Sequence, residues 1–324
     1  MTSPAISVAR LRKCYGDVVA LDGVGFEVVE GSVLGLLGPN GSGKTTAVSI
    51  LSTALRADSG QASVCGFDVR TQGAAVRRVI GFAGQFAAVD ANLTGRENLA
   101  LIGRLSRLPR VVARDRASEL LDSFGLTPAA DRLVRTYSGG MRRRLDVAAA
   151  LVHRPPVLFL DEPTTGLDPD SRFALWETIR QLVGSGTTVL LTTQYLEEAD
   201  ALAGQVVILE SGRVVDVGTP AELKARIGAV VFRLGFADDI AAVQAEHVLA
   251  AAGFSPERDA GAIRVSSANG SGALVCVLRA LEGVAPDPAS VRVDEPTLDD
   301  VFLALTGHVT TPDEQPAEAR LGAA

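Results

Sequence analysis

The sequence predicts an α/β protein in which a large domain with a mostly parallel sheet precedes a small α/β domain. Short apolar runs alternate with amphipathic segments up to about Pro220, which is typical of strands covered by helices. A glycine-rich loop lies between one such strand and the next helix. The 324 residues are enough for two domains, and an apolar content of 47% supplies a sizeable core.

In the large domain, apolar runs predict buried strands and a 3.6-residue periodicity predicts helices. The predicted strands are 33–37, 157–161, 187–192 and 206–210, with a hairpin through Ser211-Gly212 to residues 213–217. The predicted helices are 45–55, 113–124, 141–152, 171–183 and 195–203. Helical patterns alone fill residues 86–155, so we expect a helical insertion there, within a domain of residues 1–220.

A second, smaller domain is expected over residues 221–307, followed by a disordered tail over 308–324, which is rich in Pro, Glu, Asp and Ala. Its predicted strands are 230–234, 262–266 and 290–293, and its predicted helices are 240–252, 272–281 and 297–305. Thr297 is the expected N-cap of the last helix. Leu298, Val301, Phe302 and Leu305 share one face of this helix, which either docks a partner or closes the small core.

Composition excludes several classes of protein. With 38 acidic and 31 basic residues the formal charge is −7, which argues against a protein that coats nucleic acid. Three cysteines without CxxC spacing and three histidines predict neither a metal centre nor a disulfide framework, and they fit a reduced cytoplasm. The longest apolar runs are far shorter than the roughly 20 residues of a membrane span, and the N-terminus does not resemble a secretory signal.

The glycine-rich loop matches the pattern G-x-x-x-x-G-K-[ST] of phosphate-binding loops. Glycines let the backbone wrap around a phosphate with inward-pointing N–H groups, and the following helix offers its N-terminal dipole to the anion. In this pattern Lys44 reaches the β- and γ-phosphates, and the Thr45 hydroxyl holds Mg²⁺. The predicted nucleotide-binding residues are Gly38, Pro39, Asn40, Gly41, Ser42, Gly43, Lys44, Thr45 and Thr46.

Another apolar strand ends in two carboxylates, Asp161 and Glu162. Beside a phosphate loop, Asp161 is expected to hold Mg²⁺ through water, and Glu162 to take a proton from the attacking water. The alternative, a strand that simply leaves the core through acidic residues, is weakened by the phosphate loop.

A second glycine-rich turn, Tyr137-Ser138-Gly139-Gly140-Met141, precedes a long predicted helix. Taken alone, Ser138 could be an ordinary N-cap. Together with the two motifs above, the turn resembles the signature of ABC transporter ATP-binding subunits, usually written LSGGQ, with Tyr137 for Leu and Met141 for Gln. The resemblance implies that Ser138, Gly139 and Gly140 contact a nucleotide phosphate.

Other motifs of the ABC family follow in order, and the resemblance alone gives them roles. Gln85 lies where the family has its Q-loop, which contacts nucleotide and Mg²⁺, and Gly166-Leu167-Asp168 matches the D-loop. Tyr15 lies where the family stacks an aromatic ring on adenine. The ordinary alternatives are a half-exposed strand residue for Tyr15 and a solvated loop amide for Gln85.

The string TTQYLEEAD at residues 192–200 matches the switch region of the family, but Gln194 stands where most members have His. Gln can donate a hydrogen bond to the γ-phosphate, whereas it never becomes protonated. Either the protein tolerates slow hydrolysis, or Lys44 and Mg²⁺ already supply enough positive charge. The predicted catalytic residues are Glu162, Gln194 and Lys44.

Three strings, TTQYLEEAD, SGGMRRR and EPTLDDVFLALTG, resemble a narrower group, the daunorubicin-resistance type ATP-binding subunits of drug and lipid exporters. The resemblance implies a cassette with a helical subdomain that binds and hydrolyses ATP with Mg²⁺. ATP then closes a head-to-tail homodimer between the phosphate loop of one copy and the Ser138–Gly140 turn of the other. A separate integral-membrane permease is expected to dock near Gln85, with this subunit at the cytoplasmic face of the membrane.

Two alternatives remain open, an ABC importer subunit and an ABC ATPase that acts on nucleic acid or the ribosome instead of a transporter. The single cassette and the lack of sustained heptads disfavour the second of these. Arg142-Arg143-Arg144 is interpreted as a solvated helix turn or as salt bridges near the dimer interface. Without interleaved aromatic residues, it predicts no direct nucleic-acid contact.

Overall fold

The computed structural model describes residues 4–85, 88–227, 230–259, 262–267, 271–283, 286–294 and 296–306. The chain divides into two compact units, of which the first extends to Pro220 and the second begins at Ala221. The tail predicted from residue 308 lies outside the described residues.

The first unit begins with strands that belong to two different sheets. Its first elements are β1 (Ile6–Tyr15), β2 (Val18–Val28), β3 (Val33–Leu37), α1 (Lys44–Leu51), β4 (Ser59–Val64), β5 (Phe67–Asp68), α2 (Gly73–Val79) and β6 (Ile80–Ala83). Four of these strands form an antiparallel sheet in the order β2-β1-β4-β5. The apolar pattern does not predict this sheet, because register shifts after Val8 and a left-handed Arg10 interrupt the alternation along β1.

Helices fill the middle of the first unit. They are α3 (Gly95–Leu105), α4 (Arg110–Ser123) and α5 (Gly139–Ala150). The N-terminus of α3 has a capping box, in which the Thr94 side chain accepts from the Glu97 N–H and the Glu97 carboxylate accepts from the Thr94 N–H. Ser138 caps α5 by accepting from the Met141 N–H, so this helix begins two residues before the predicted start at residue 141.

The remaining elements of this unit complete a parallel sheet. They are β7 (Val157–Asp161), α6 (Pro169–Gly184), β8 (Thr188–Thr193), α7 (Leu196–Leu202), β9 (Gln205–Glu210) and β10 (Arg213–Gly218). The strand order is β10-β9-β3-β8-β7-β6, and every neighbouring pair is parallel except the β9-β10 hairpin. The predicted strands, their mostly parallel sheet and the hairpin are confirmed. The helix predicted over 45–55 ends at Leu51, shortly before Thr53 adopts a left-handed φ of 66°.

The parallel sheet separates two hydrophobic cores. Alternate residues of β7 face opposite sides, so Leu158 and Leu160 pack in one core with residues of α4, α5 and α6. Val157 and Phe159 pack in the other core, with residues of β1, β2 and α1. Because both faces are covered, β7 is buried along its whole length and holds the residues that follow it in place.

The second unit is a small antiparallel sheet with helices. From Pro220 on, the elements are α8 (Pro220–Ile227), β11 (Val230–Gly235), α9 (Asp239–Ala251), β12 (Pro256–Asp259), β13 (Ala262–Ser267), α10 (Leu274–Leu281), β14 (Ser290–Asp294) and α11 (Leu298–Thr306). The sheet order is β12-β13-β11-β14, and its core includes Phe232, Leu249, Ile263 and Val277. The three predicted strands and three predicted helices are confirmed, whereas β12 is an additional strand.

The apolar face of α11 is largely covered. Thr297 caps the helix, accepting from the Asp300 N–H at 3.2 Å while the Asp300 carboxylate accepts from the Thr297 N–H at 2.8 Å. Leu298, Val301 and Phe302 are buried in the chain itself. This burial favours internal packing over a partner-docking role for that face.

Candidate functional site

Four neighbouring strands of the parallel sheet end at the same edge, and a predicted site residue follows each of them. The phosphate loop follows β3 at Leu37, and Gln194 follows β8. Glu162 follows β7, and Gln85 lies two residues after the end of β6. Because parallel strands share one carboxyl edge, the topology places these four sequence motifs side by side.

The phosphate loop needs glycine at specific positions. Gly43 has a φ of 104° and precedes α1, and a Cβ there would collide with the Ala20 carbonyl oxygen. A Cβ on Gly38 would collide with the Leu209 carbonyl oxygen and with Ser42 Oγ. Glycine therefore lets the loop backbone pack closely against Ala20 and Leu209 on one side. The opposite side of the loop is then available to an anion.

Lys44 is the first residue of α1, and its ammonium group is buried under the loop. Its Nζ donates to the carbonyl oxygens of Gly38 at 2.7 Å and Pro39 at 3.0 Å. It also lies 3.8 Å from Glu162 Oε1. Burial lowers the pKa of Lys44 from its usual value, while the carboxylates of Glu162 and Asp161 oppose that shift.

Asp161 connects β7 to the loop and to β8. Its Oδ1 accepts hydrogen bonds from Thr45 Oγ1 at 3.3 Å and from Thr192 Oγ1. The Asp161 side chain is buried. A carboxylate beside a hydroxyl group is the kind of oxygen donor set that Mg²⁺ prefers, so Thr45 and Asp161 could hold this ion together.

Glu162 has an unusual backbone. Its φ of 48° lies in the left-handed region, which is uncommon for a residue with a side chain. Its N–H donates to the carbonyl oxygen of Thr192 at 3.1 Å and to Thr192 Oγ1 at 3.0 Å. These bonds turn the chain at the end of β7 and direct the Glu162 side chain toward the phosphate loop.

A cavity of about 350 Å³ lies at this edge of the sheet. It brings together most of the predicted loop residues, the carboxylate after β7 and the glutamine after β6. The lining residues are Ala20, Asn40, Gly41, Gly43, Lys44, Thr45, Thr46, Gln85 and Glu162. A cation, a carboxylate, an amide and a glycine-rich backbone around one cavity suit a phosphate group and an attacking water molecule.

One buried hydroxyl group fits a phosphate ligand in particular. Ser42 Oγ is buried, and no described residue accepts or donates a hydrogen bond to it. An unpaired buried hydroxyl costs free energy, which a phosphate oxygen at the loop would recover. Ser42 therefore supports the predicted nucleotide role of the loop by an observation independent of the motif.

The signature turn lies at the N-terminus of α5 and does not contribute to the lining of this cavity. Ser138 and Gly139 are exposed, while Gly140 is buried and a Cβ there would collide with Ser171 Oγ. Tyr137 is buried, and its hydroxyl donates to the carbonyl oxygen of Ala129 at 2.7 Å. Tyr137 thus anchors the turn, and Ser138 and Gly139 face solvent.

Gln194 and Tyr15 are also absent from the cavity lining, as are Gly38, Pro39, Ser42 and Asp161. Gln194 is half-buried directly after β8, and Tyr15 is half-exposed at the end of β1. Lys13 Nζ lies 5.6 Å from the centre of the Tyr15 ring, within the range of a cation–π contact. The structure brings Lys44, Glu162 and Gln85 together around one cavity. Gln194 and Tyr15 lie on segments that do not line this cavity.

The interpretation of Arg142-Arg143-Arg144 as a solvated helix turn is wrong for Arg143 and Arg144, which are both half-buried and donate to backbone carbonyls. Arg142 is exposed, whereas the Arg143 guanidinium is buried and donates to backbone carbonyls next to Glu162 and Gln85. The three residues are chemically alike, so their sequence contains no signal for which of them points inward.

Sequence reasoning also missed Glu198 of α7, which is completely buried. Trp176 Nε1 donates to Glu198 Oε1 at 3.2 Å, and Oε2 has no hydrogen-bond partner in the described part of the chain. Burial raises the pKa of the Glu198 carboxyl above its usual value. The sequence gives one signal for this burial, namely that Glu198 occupies a position of a short helix where an apolar residue is expected.

The described residues contain no cluster of three His, Cys, Asp or Glu side chains that could hold a metal ion. Within the same residues, each helix is too short or too polar to cross a membrane.

Comparison with known proteins identifies the family. The family described as ABC transporter matches residues 21–165. The chain is 51% identical to the daunorubicin resistance ATP-binding protein DrrA2 of Streptomyces coeruleorubidus, over 96% of this chain and 97% of the relative. The chain belongs to the ABC transporter family.

Two further similarities cover different shares of this ABC protein. It is 39% identical to the Nod factor export ATP-binding protein I of Ralstonia nicotianae, over 94% of this chain and 95% of the relative. The structure of cbiO1 from Clostridium perfringens, part of the ABC transporter complex cbiONQ, superimposes with a TM-score of 0.64 at 26% identity. That match covers 68% of this chain and 91% of the other.

Membership of the ABC transporter family confirms the ABC cassette fold that the sequence motifs predict. The protein is a nucleotide-binding ATPase, and it is a subunit that works with a membrane permease.

Proposed function

We propose that this chain hydrolyses Mg²⁺-bound ATP in a homodimer and drives export of a drug-like or lipid-like compound through a separate permease. The supporting observation is the meeting of Lys44, Glu162 and Gln85 around one cavity at the carboxyl edge of the sheet. One relative is named for daunorubicin resistance and another for Nod factor export, and export of a compound would account for both names. We infer that the choice of cargo belongs to the permease.

The phosphate loop is proposed to hold the β- and γ-phosphates through its N–H groups, the N-terminus of α1 and Lys44. The unpaired Ser42 hydroxyl adds a donor. Tyr15 is the proposed stacking platform for adenine. Thr45, Asp161 and Gln85 would hold Mg²⁺, which supplies positive charge to the phosphate oxygens.

Hydrolysis is assigned to Glu162, which takes a proton from the attacking water as the γ-phosphoryl group is transferred. Gln194 donates a hydrogen bond to the γ-phosphate and positions the water. Lys44 Nζ lies 3.8 Å from Glu162 Oε1, so the charge that binds phosphate also keeps the base close to the reacting group.

The homodimer is proposed because the signature turn is exposed and lies outside the cavity lining of its own chain. Ser138, Gly139 and Gly140 precede α5, where N–H groups and the helix dipole suit a phosphate. A second copy facing head to tail would bring this turn to the ATP on the phosphate loop. ATP would then join the two copies, and hydrolysis would release them.

We place the subunit at the cytoplasmic face of the membrane, with the permease on the helical region near Gln85. Four exposed apolar side chains of α3 and α4 support this surface, namely Leu101, Leu105, Val111 and Val112. Direct contact with nucleic acid is not proposed, since the formal charge is −7 and Arg143 is turned inward.

Substitution of the proposed base tests the assignment. We expect Glu162→Gln to bind ATP normally and to hydrolyse it about a hundredfold more slowly or worse, because the shape is kept and the base is lost. Single-turnover hydrolysis of radiolabelled ATP measures the rate, and a fluorescent ATP analogue measures binding. Glu177→Gln, on the exposed part of α6, is the control and should behave as wild type. Near wild-type hydrolysis by Glu162→Gln would exclude Glu162 as the base.

Export is tested in cells that express the chain with the membrane protein encoded next to it. We expect less daunorubicin retained in these cells than in cells with a Lys44→Ala subunit, because the variant loses its phosphate contact. Equal retention in both strains would contradict drug export while leaving the ATPase assignment intact.

A further inference from the structure

The Arg143 guanidinium uses every nitrogen atom in hydrogen bonds, and three of its acceptors are backbone carbonyls. Nε donates to the Pro163 carbonyl oxygen at 2.8 Å, and Nη2 donates to the Asp161 carbonyl oxygen at 3.1 Å. Nη1 donates to the Gly84 carbonyl oxygen and to Asp146 Oδ2, the latter at 3.3 Å. Its side chain is only 12% exposed. A buried cation with this many acceptors holds its neighbours firmly.

The acceptors lie next to the two cavity residues that follow β7 and β6. Asp161 and Pro163 are the residues on either side of Glu162, and Gly84 directly precedes Gln85. One guanidinium plane on α5 therefore joins the ends of two parallel strands at the residues that present the carboxylate and the amide to the cavity.

Glu162 needs such support because its φ of 48° is left-handed. For a residue with a side chain this conformation costs about 1 kcal/mol or more, and it persists only where the surroundings hold it. Thr192 of β8 holds the Glu162 N–H. Arg143 holds the carbonyl groups on both sides of Glu162, so the turn is fixed from two elements.

Asp146, one turn further along α5, holds the arginine in place. Its side chain is buried, with Oδ2 accepting from Arg143 and Oδ1 accepting from the Ala88 N–H at 2.7 Å. Arg143 and Asp146 thus bond to Gly84 and Ala88, two residues of the segment that contains Gln85. The bond from Ala88 to Asp146 is thus a second connection between α5 and that segment, in addition to the bond from Arg143 to Gly84.

We propose that Arg143 is a positioning residue for hydrolysis, which holds the Glu162 carboxylate in its working arrangement from α5 through the carbonyl groups on both sides of Glu162. This inference rests on the proposed role of Glu162 as the general base. Arg143 itself does not line the cavity, so it acts on the rate through Glu162 and leaves nucleotide affinity alone.

The test replaces the forked guanidinium by a single ammonium group in the full-length protein. Arg143→Lys keeps the charge but cannot reach three carbonyls in one plane. We expect kcat to fall about tenfold, equivalent to about 1.4 kcal/mol, with KM and binding of a fluorescent ADP analogue within about twofold of wild type. Arg144→Lys is the matched control, because Arg144 of the same helix donates to the Phe124 carbonyl oxygen, away from the cavity.

A double variant separates positioning from general damage to the fold. In a Glu162→Gln background the base is absent, so Arg143→Lys should cause no further loss of the residual rate. Losses that multiply would overturn the inference, and so would a kcat of Arg143→Lys within about twofold of wild type. If Glu162→Gln alone keeps the wild-type rate, the proposed function fails first, which is a different outcome.

Thermal unfolding with and without Mg-ADP establishes that each variant is folded. If Arg143→Lys does not fold, Asp146→Asn tests the inference instead. Asn keeps an acceptor for the Ala88 N–H, and it turns an amide donor toward Arg143 in place of a carboxylate oxygen. We expect a smaller fall in kcat of about threefold at unchanged KM. An unchanged kcat in Asp146→Asn would overturn the inference in that case.

Discussion

Gln194 shows how one side chain sets the charge available to the reaction. In the wider family a His at this position can become a cation near neutral pH, whereas Gln offers only a neutral donor. Charged donors bond phosphate more strongly than neutral ones. The departure from the family pattern therefore predicts a low basal rate of hydrolysis in this protein.

We expect Gln194→His to speed turnover and Gln194→Ala to slow it about tenfold, since Ala leaves the γ-phosphate one donor short. The ratio of the His variant to wild type should rise as pH falls through about 6.5, the usual imidazole pKa. ATPase assays of the three proteins between pH 6 and 8 check this. A His variant with the wild-type rate would show that Lys44 and Mg²⁺ supply enough charge. Equal rates for wild type and Gln194→Ala would show that Gln194 is not the switch residue.

At the same residue scale, the buried Glu198 leads to a prediction about how the free energy of unfolding depends on pH. Its buried carboxyl has a raised pKa in the folded protein, so its contribution to folding is fully present below the usual glutamate pKa. That contribution is lost as pH rises through the raised folded-state pKa. The hydrogen bond from Trp176 and the charge of Arg172 oppose the loss in part.

We therefore expect Glu198→Gln to be more stable than wild type by about 1 kcal/mol at pH 8, with a difference that shrinks toward pH 5. Gln keeps an oxygen that can accept from Trp176 Nε1 and never ionises. Urea unfolding across this pH range measures the difference, and Glu197→Gln on the exposed side of α7 is the control. Parallel pH profiles for wild type and Glu198→Gln would refute the explanation.

At the scale of elements, β6 approaches the end of α5 closely. This approach places the strand that leads to Gln85 against the helix that follows the signature turn. A Cβ added at Gly81 would collide with the Ala150 carbonyl oxygen and touch the Pro155 ring. Glycine in β6 therefore allows the contact between a strand that leads to Gln85 and the helix that contains Arg143.

We expect Gly81→Ala to lower the free energy of unfolding by about 1–3 kcal/mol, because α5 or β6 must shift to admit the methyl group. Gly184→Ala is the matched control, since nothing lies within 4 Å of a Cβ at that end of α6. Urea denaturation of both variants makes the comparison. Equal stability of the two would mean that the approach of β6 and α5 is not tight in solution.

At the scale of the whole molecule, the exposed signature turn predicts that ATP controls association. Saturating Mg-ATP should convert Glu162→Gln from monomer to dimer in light scattering, because ATP binds both copies and is not consumed. Adding Ser138→Arg should prevent this, since a bulky side chain would occupy the place of the phosphate. A Glu162→Gln protein that stays monomeric at every ATP concentration would contradict the composite site for the isolated subunit.

Much of the site follows from local sequence. The phosphate loop requires glycines and a lysine in fixed order, and the strand before Asp161 must be apolar to be buried. These are short-range properties, so the alternation of strands and helices was enough to predict a parallel sheet. The shared carboxyl edge of that sheet then implies that Lys44 and Glu162 lie near one another, whereas the strand before Gln85, β6, was not predicted.

Other features depend on packing between distant segments. The antiparallel sheet of β1, β2, β4 and β5 has bulges that hide its period from the sequence. The three arginines are identical residues, so only the packing of α5 decides that Arg143 bonds to the residues around Glu162, that Arg144 bonds to Phe124 and that Arg142 is exposed.

The sequence by itself determined the family, the parallel sheet and the residues of the phosphate loop, because each depends on residue types at short spacings. The tertiary structure decided that Arg143 joins the residues around Glu162 to the Gln85 segment, and that Glu198 is buried beside Trp176. These contacts join residues 18 or more positions apart in the chain. Side-chain direction at such a distance is set by how elements pack, and no local pattern of residues encodes it.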